Sequence, residues 1–212
     1  MKRLFVLAIV LVALSAPAFA NVLVNGDFSN GTTSWTFWVQ RQKTGTAVFM
    51  NENNQGKFYA ANFNGGIWQG FATTAAVPYV VSGWAKNWTN NSSNQTTWSE
   101  VLIGTSAPVN NVDYNAGTPG AKLCAKQETG AAPKVWYFDK QFSQWDGMTP
   151  SLTFVGTGST MYIVIKHGNT TASTLDGLYT DNIVVDAVPE PASLLAFGTG
   201  LIGLLGFARR RR

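Results

Sequence analysis

Residues 66–88 read GIWQGFATTAAVPYVVSGWAKNW. Two runs rich in aromatic and β-branched residues, 66–72 and 79–88, flank a segment ending in Pro78, which no helix interior would accept. In the second run the odd positions Tyr79, Val81, Gly83 and Ala85 form an apolar, closely packing set, while Val80, Ser82, Trp84, Lys86 and Trp88 mix aromatic with polar side chains. Because successive strand residues point to opposite faces, this alternation predicts a strand with one face on a core and one toward water.

The same texture extends outward over residues 21–187. Further runs at 22–29, 35–41, 46–51, 57–63, 99–104, 134–143, 151–156, 161–167 and 181–187 are separated by Gly, Asn, Thr, Ser and Pro clusters, with no helical periodicity between them. Many short strands with frequent turns predict an all-β sandwich or barrel. Asn64-Gly65-Gly66 and Asp146-Gly147 are expected at breaks that need positive φ, and TNNSSNQTTW, 89–98, as a solvated loop.

The ends have a different character. MKRLFVLAIVLVALSAPAFA, residues 1–20, has a basic start, an apolar run and the small residues Ala18 and Ala20 at its close, as in a secretory signal peptide cleaved after Ala20. At the other end VPEPASLLAFGTGLIGLLGFARRRR, 188–212, places Pro189-Glu190-Pro191 before 17 apolar residues, 192–208, and then Arg209, Arg210, Arg211 and Arg212. The apolar part reaches about 26 Å as a helix, a marginal membrane span whose arginines stay cytoplasmic. The three parts in this order resemble the PEP-CTERM sorting signal of exopolysaccharide-producing Gram-negative bacteria. The resemblance implies export, a transient inner-membrane stage through 192–208, processing by an exosortase near the Pro-Glu-Pro, and release to the cell surface or extracellular matrix. The chain therefore divides into a signal peptide 1–20, a domain 21–187 and a sorting segment 188–212.

Setting both ends aside leaves about 170 residues, enough for one domain with a substantial core. Lys2, Arg3 and the terminal arginines hold six of the fifteen cationic residues, so residues 21–208 carry nine cations against eleven acids. With no basic cluster on the domain, nucleic acid is not an expected partner. Cys124 is the single cysteine, which excludes an intrachain disulfide and predicts a small buried apolar side chain.

Residues 21–35, NVLVNGDFSNGTTSW, together with LYTDNIVVDA near the domain's end, resemble the galactose-binding-like jelly roll of carbohydrate-binding modules. Gln69, Tyr79 and the Trp84-Ala85-Lys86 sequence agree with its middle. The resemblance implies a jelly-roll β-sandwich and polysaccharide as partner. It also implies a structural calcium where the terminal strands meet, at Asp27 and Asp181, although Ser29 stands where the family places an acidic ligand.

Sugars stack an apolar C–H face on flat aromatics, so aromatics on a polar strand face are the candidate platform. Trp84 and Trp88 meet this condition, as does Trp38, which shares its side with Thr36 and Gln40, whereas Trp35 and Trp136 are expected in the core. Trp68 and Trp98 fit either place. With His167 as the only histidine and no nucleophile or metal motif, no enzyme is expected. The expectation is an exported, polysaccharide-binding matrix protein; the alternative is a self-associating structural protein that recognises no glycan, and a hydrolase with an unrecognised acid pair comes third.

Overall fold

The computed structural model describes residues 21–87, 97–128, 138–146, 151–169 and 176–188, in nine antiparallel strands. These are β1 (Thr36–Glu52), β2 (Gln55–Ala72), β3 (Pro78–Asn87), β4 (Thr97–Gly104), β5 (Lys122–Glu128), β6 (Asp139–Gln141), β7 (Thr153–Val155), β8 (Thr160–Asn169) and β9 (Asp176–Ala187). A single 3₁₀ turn, Phe142–Gln144, follows β6.

Two long strands organise the fold. Asn53 and Asn54, with φ of 56° and 59°, turn β1 directly into β2, the two-residue hairpin geometry that needs positive φ at both positions. β1 pairs with β2 from Thr36 opposite Trp68 to Glu52 opposite Gln55. The other edge of β2 is divided: Asn64–Ala72 pairs with β8 and Gly56–Ala60 with β9. The hairpin thus belongs to two sheets, β1-β2-β8-β4-β5 and β1-β2-β9-β3-β6, with β7 on the start of β3. Register shifts at Val39/Arg41 and Thr44/Val48 let β1 bend between them. The result is the expected all-β jelly-roll sandwich.

The expected break at Asn64-Gly65-Gly66 does not occur, because β2 runs through it. The glycines serve close approach: a Cβ on Gly66 would lie 2.0 Å from the Ile165 carbonyl oxygen, and one on Gly65 2.4 Å from that of Trp38. β5 was not expected as a strand; its lysines and glutamate suit an exposed sheet edge and mask the apolar pattern. Conversely, residues 22–29 form turns, with Asn25 and Phe28 at φ of 55° and 52°. They still lie along β9 through Val22 N–H to Val185 O (3.0 Å) and Ile183 N–H to Gly26 O (2.9 Å). The Gln69 amide holds them by accepting from Val24 N–H (2.7 Å) and donating to Val24 O (2.8 Å).

Phe58, Phe63, Ile67, Val101, Ile165 and Leu178 fill the space between the sheets and are fully buried. A second apolar cluster lies on the opposite face of the first sheet. There the connection from β4 to β5 covers Trp38, Leu102 and Val164 with Tyr114.

Candidate functional site

Trp38 is corrected by this second cluster. It is 1% exposed, its indole N–H donates to Val109 O at 2.7 Å, and Tyr114 meets its ring edge-on at 6.4 Å. It is a packing residue, because the 105–121 connection covers the side on which it stands with Thr36 and Gln40. Trp35 is buried as expected and stacks on Phe28 at 5.4 Å; Trp145 is also buried, against Phe138 and Phe142. Trp68 and Trp98 are half-buried, and Trp68 packs edge-on against Tyr162. Trp88 and Trp136 lie outside the described residues, as do Ala18, Ala20, Pro189 to Pro191 and the terminal arginines.

Trp84 stands where alternation put it. Tyr79, Val81, Gly83 and Ala85 are buried, Ser82 is exposed and Trp84 half-buried, on the outer face of the second sheet. Across to β6, Trp84 faces Gln141 and Lys86 faces Asp139. The Trp84 indole N–H donates to Asp139 Oδ1, fixing the ring over the sheet edge. On the inner flank the Thr180 hydroxyl donates to Trp84 O at 2.9 Å, tying β9 beside it.

The same face continues over β9 onto β2, where Lys57 is opposite Tyr179. Lys57 Nζ is 2.6 Å from Glu52 Oε2 and lies 5.0 Å and 5.4 Å from the ring centres of Tyr179 and Tyr59. The Tyr179 hydroxyl donates to Glu52 Oε1 at 2.9 Å. Burial alone would lower the Lys57 ammonium's pKa, but its hydrogen bonds with Glu52 and Tyr179 outweigh that and raise it. The hydrogen bond from Lys57, then that from Tyr179, hold the Glu52 carboxyl below its ordinary value. Tyr59, Tyr179 and Trp84 are thus half-buried aromatics on one polar sheet face. Tyr59 and Tyr179 were missed as site residues, although Lys57 and Tyr59 alternate with the core residues Phe58 and Ala60 in the sequence.

Asp27 forms an Asx turn, accepting from Ser29 N–H (3.2 Å) and the Ser29 hydroxyl (2.9 Å), and these bonds lower its pKa. Asp181 is raised, first by burial and also by the negative charge of Asp27. Calcium takes six to eight oxygens, several from carboxylates. Here the carbonyls of Asn25, Gly26 and Phe28 already accept hydrogen bonds from Trp35, Ile183 and Asn51. Among the described residues no three His, Cys, Asp or Glu side chains come together.

His167 is not at a strand end. It is fully buried within β8, its Nδ1 2.9 Å from the Ser99 hydroxyl, with Phe58 edge-on. Burial pushes the Cys124 thiol up to about 11, so it is protonated at neutral pH. At one end of the sandwich a cleft of about 420 Å³ opens between β5 and β7, with Pro78, Ile103, Phe154 and Met161 in its walls. The Lys122 ammonium at its rim donates to Thr153 O at 2.6 Å.

Residues 187–212 match the PEP-CTERM protein-sorting motif, so the chain carries the exosortase address for export to the cell envelope. No curated protein sequence matches the chain. Among solved structures it is similar to a carbohydrate-binding module, TmCBM61, in complex with β-1,4-galactotriose. The identity is 11%, covering 80% of this chain and 99% of that one, at a TM-score of 0.44. It is also similar to the C-terminal family 22 carbohydrate-binding module of Clostridium thermocellum Xyn10B (12% identity, 81% and 97% covered, TM-score 0.41). A third is the K3 adhesin domain of the Lys-gingipain of Porphyromonas gingivalis (14%, 78% and 98%, TM-score 0.43). The likeness is one of β-sandwich architecture. Among the described residues no helix is long and apolar enough to cross a membrane, and residues 192–208 lie outside them.

Proposed function

We propose that the protein is an exported, non-enzymatic sandwich that binds extracellular polysaccharide on the outer face of its second sheet. In this reading residues 1–20 are a signal peptide, residues 192–208 pass through the inner membrane, and exosortase processing delivers the domain to the surface or matrix. The observation that carries it is the row Tyr59, Tyr179 and Trp84, half-buried among Glu52, Lys57, Lys86, Asp139 and Gln141. Rings held by hydrogen bonds and ion pairs offer apolar faces without a large ordering cost, and the polar groups between them suit sugar hydroxyls.

Affinity electrophoresis of the exported protein in gels containing the producer's own exopolysaccharide tests this. Trp84→Ala, with the fold verified by circular dichroism, should weaken retention about tenfold, as expected for an aromatic contact of about 1.5 kcal/mol. Unretarded parent protein that forms concentration-dependent oligomers would instead support the structural alternative.

We propose further that hydrogen bonds, not calcium, join the terminal segments around Asp27 and Asp181. Calcium added to EDTA-treated protein should leave Tm unchanged. A rise of several degrees would put a bound ion at this junction.

A further inference from the structure

We infer that the Trp84–Tyr179–Tyr59 face selects uncharged stretches of polysaccharide and rejects uronate-rich ones, an inference that rests on the glycan-binding reading above. Recognising a sugar carboxylate needs a cation whose charge is not already met. Lys57 is held by Glu52 at 2.6 Å and lies against two tyrosine rings. Lys86 stands directly opposite Asp139 in the β3–β6 register.

Against these two lysines the face sets three carboxylates, Glu52, Asp139 and, two residues beyond Tyr179 on the same side of β9, Asp181. A uronate approaching Lys57 would have to displace Glu52, which also accepts the Tyr179 hydroxyl and would be left half-buried and uncompensated. A neutral sugar meets no such penalty. Its hydroxyls donate to the carboxylate oxygens of Glu52 and Asp139, and its C–H face lies on the rings.

The exported full chain is run in gels containing the producer's exopolysaccharide, either native or with its uronates reduced to neutral sugars by carbodiimide and borohydride. Retention should be at least as strong for the carboxyl-reduced polymer as for the native one, and unchanged by about 0.5 M NaCl, which screens exposed charge. Retention of the native polymer that is lost on carboxyl reduction or in salt would overturn the inference and leave glycan binding standing. Retention by neither polymer would overturn glycan binding and the inference with it.

Glu52→Gln supplies the converse test. Releasing the Lys57 charge should create salt-sensitive retention by alginate at least fivefold above that of the parent protein. A folded Glu52→Gln variant that gains none would show that the Lys57–Glu52 pair is not what excludes uronates.

Discussion

Replacing Trp38 with alanine should lower the unfolding free energy by about 3–5 kcal/mol, the range for deleting a large aromatic from a packed interior. The side chain is 1% exposed and touches both layers of the second cluster, Leu102 and Val164 below and Tyr114 above. Its indole N–H also satisfies the Val109 carbonyl at 2.7 Å. Removing it leaves a cavity and an acceptor without its donor, and loosens the 105–121 connection from the sheet. Urea denaturation of the exported protein measures the loss. Polysaccharide retention of the folded variant should be unchanged, since Trp38 and Trp84 stand on different sheets. A loss below about 1 kcal/mol would return Trp38 to an open surface.

Lys166→Met should cost about as much, by a different route. The Lys166 side chain is 4% exposed, its ammonium 3.5 Å from Glu100, 3.1 Å from Asp113 and 2.8 Å from the Tyr114 carbonyl. Methionine keeps the volume of the stem and removes the charge, which leaves the Glu100 carboxylate buried against the sheet with the more distant Lys126 ammonium, 4.0 Å away, as its remaining cation among the described residues. Breaking a buried pair from one side costs about 3–5 kcal/mol, whereas replacing both partners with apolar residues is close to neutral. Lys166→Met combined with Glu100→Leu should therefore recover most of the stability lost in the single variant, a non-additivity that denaturation curves of the three proteins reveal.

Acid sensitivity follows from the same contact. Burial alone would raise Asp113, but the Lys166 charge and hydrogen bonds from Lys166 and Asn115 hold its pKa below the ordinary 3.8. A carboxyl lowered in the folded state contributes stability that is present above its unfolded pKa and is lost as pH falls through the folded value. Stability should thus decline below about pH 4, and this part of the decline should be absent from Lys166→Met.

Trp84 and Trp38 show how far strand alternation reaches. Both were placed on polar-aromatic strand sides. For Trp84 the side is half-open, and among the described residues β3 is flanked by β9, β7 and the three-residue β6. For Trp38 a connection of polar composition, 105–121, folds back over the sheet with Tyr114 and the Val109 carbonyl. Gly65 and Gly66 show the same limit in the backbone. A glycine pair beside asparagine reads as a turn, yet here it admits neighbouring strands to within the distance a Cβ would occupy.

From the sequence by itself came the β class, the sorting address at 188–212, the buried state of Trp35 and Cys124, and the packed face of Tyr79, Val81 and Ala85. Each rests on local information: period-two patterning, turn residues, or a contiguous motif. Only the tertiary structure decided that β2 serves two sheets, that Lys166 is a buried ion-pair centre, and that Tyr59, Tyr179 and Trp84 line up across three strands. Residues 59, 84 and 179 become neighbours through strand order and register. Alternation states which residues share a side of a strand, while the packing of distant segments determines what covers that side.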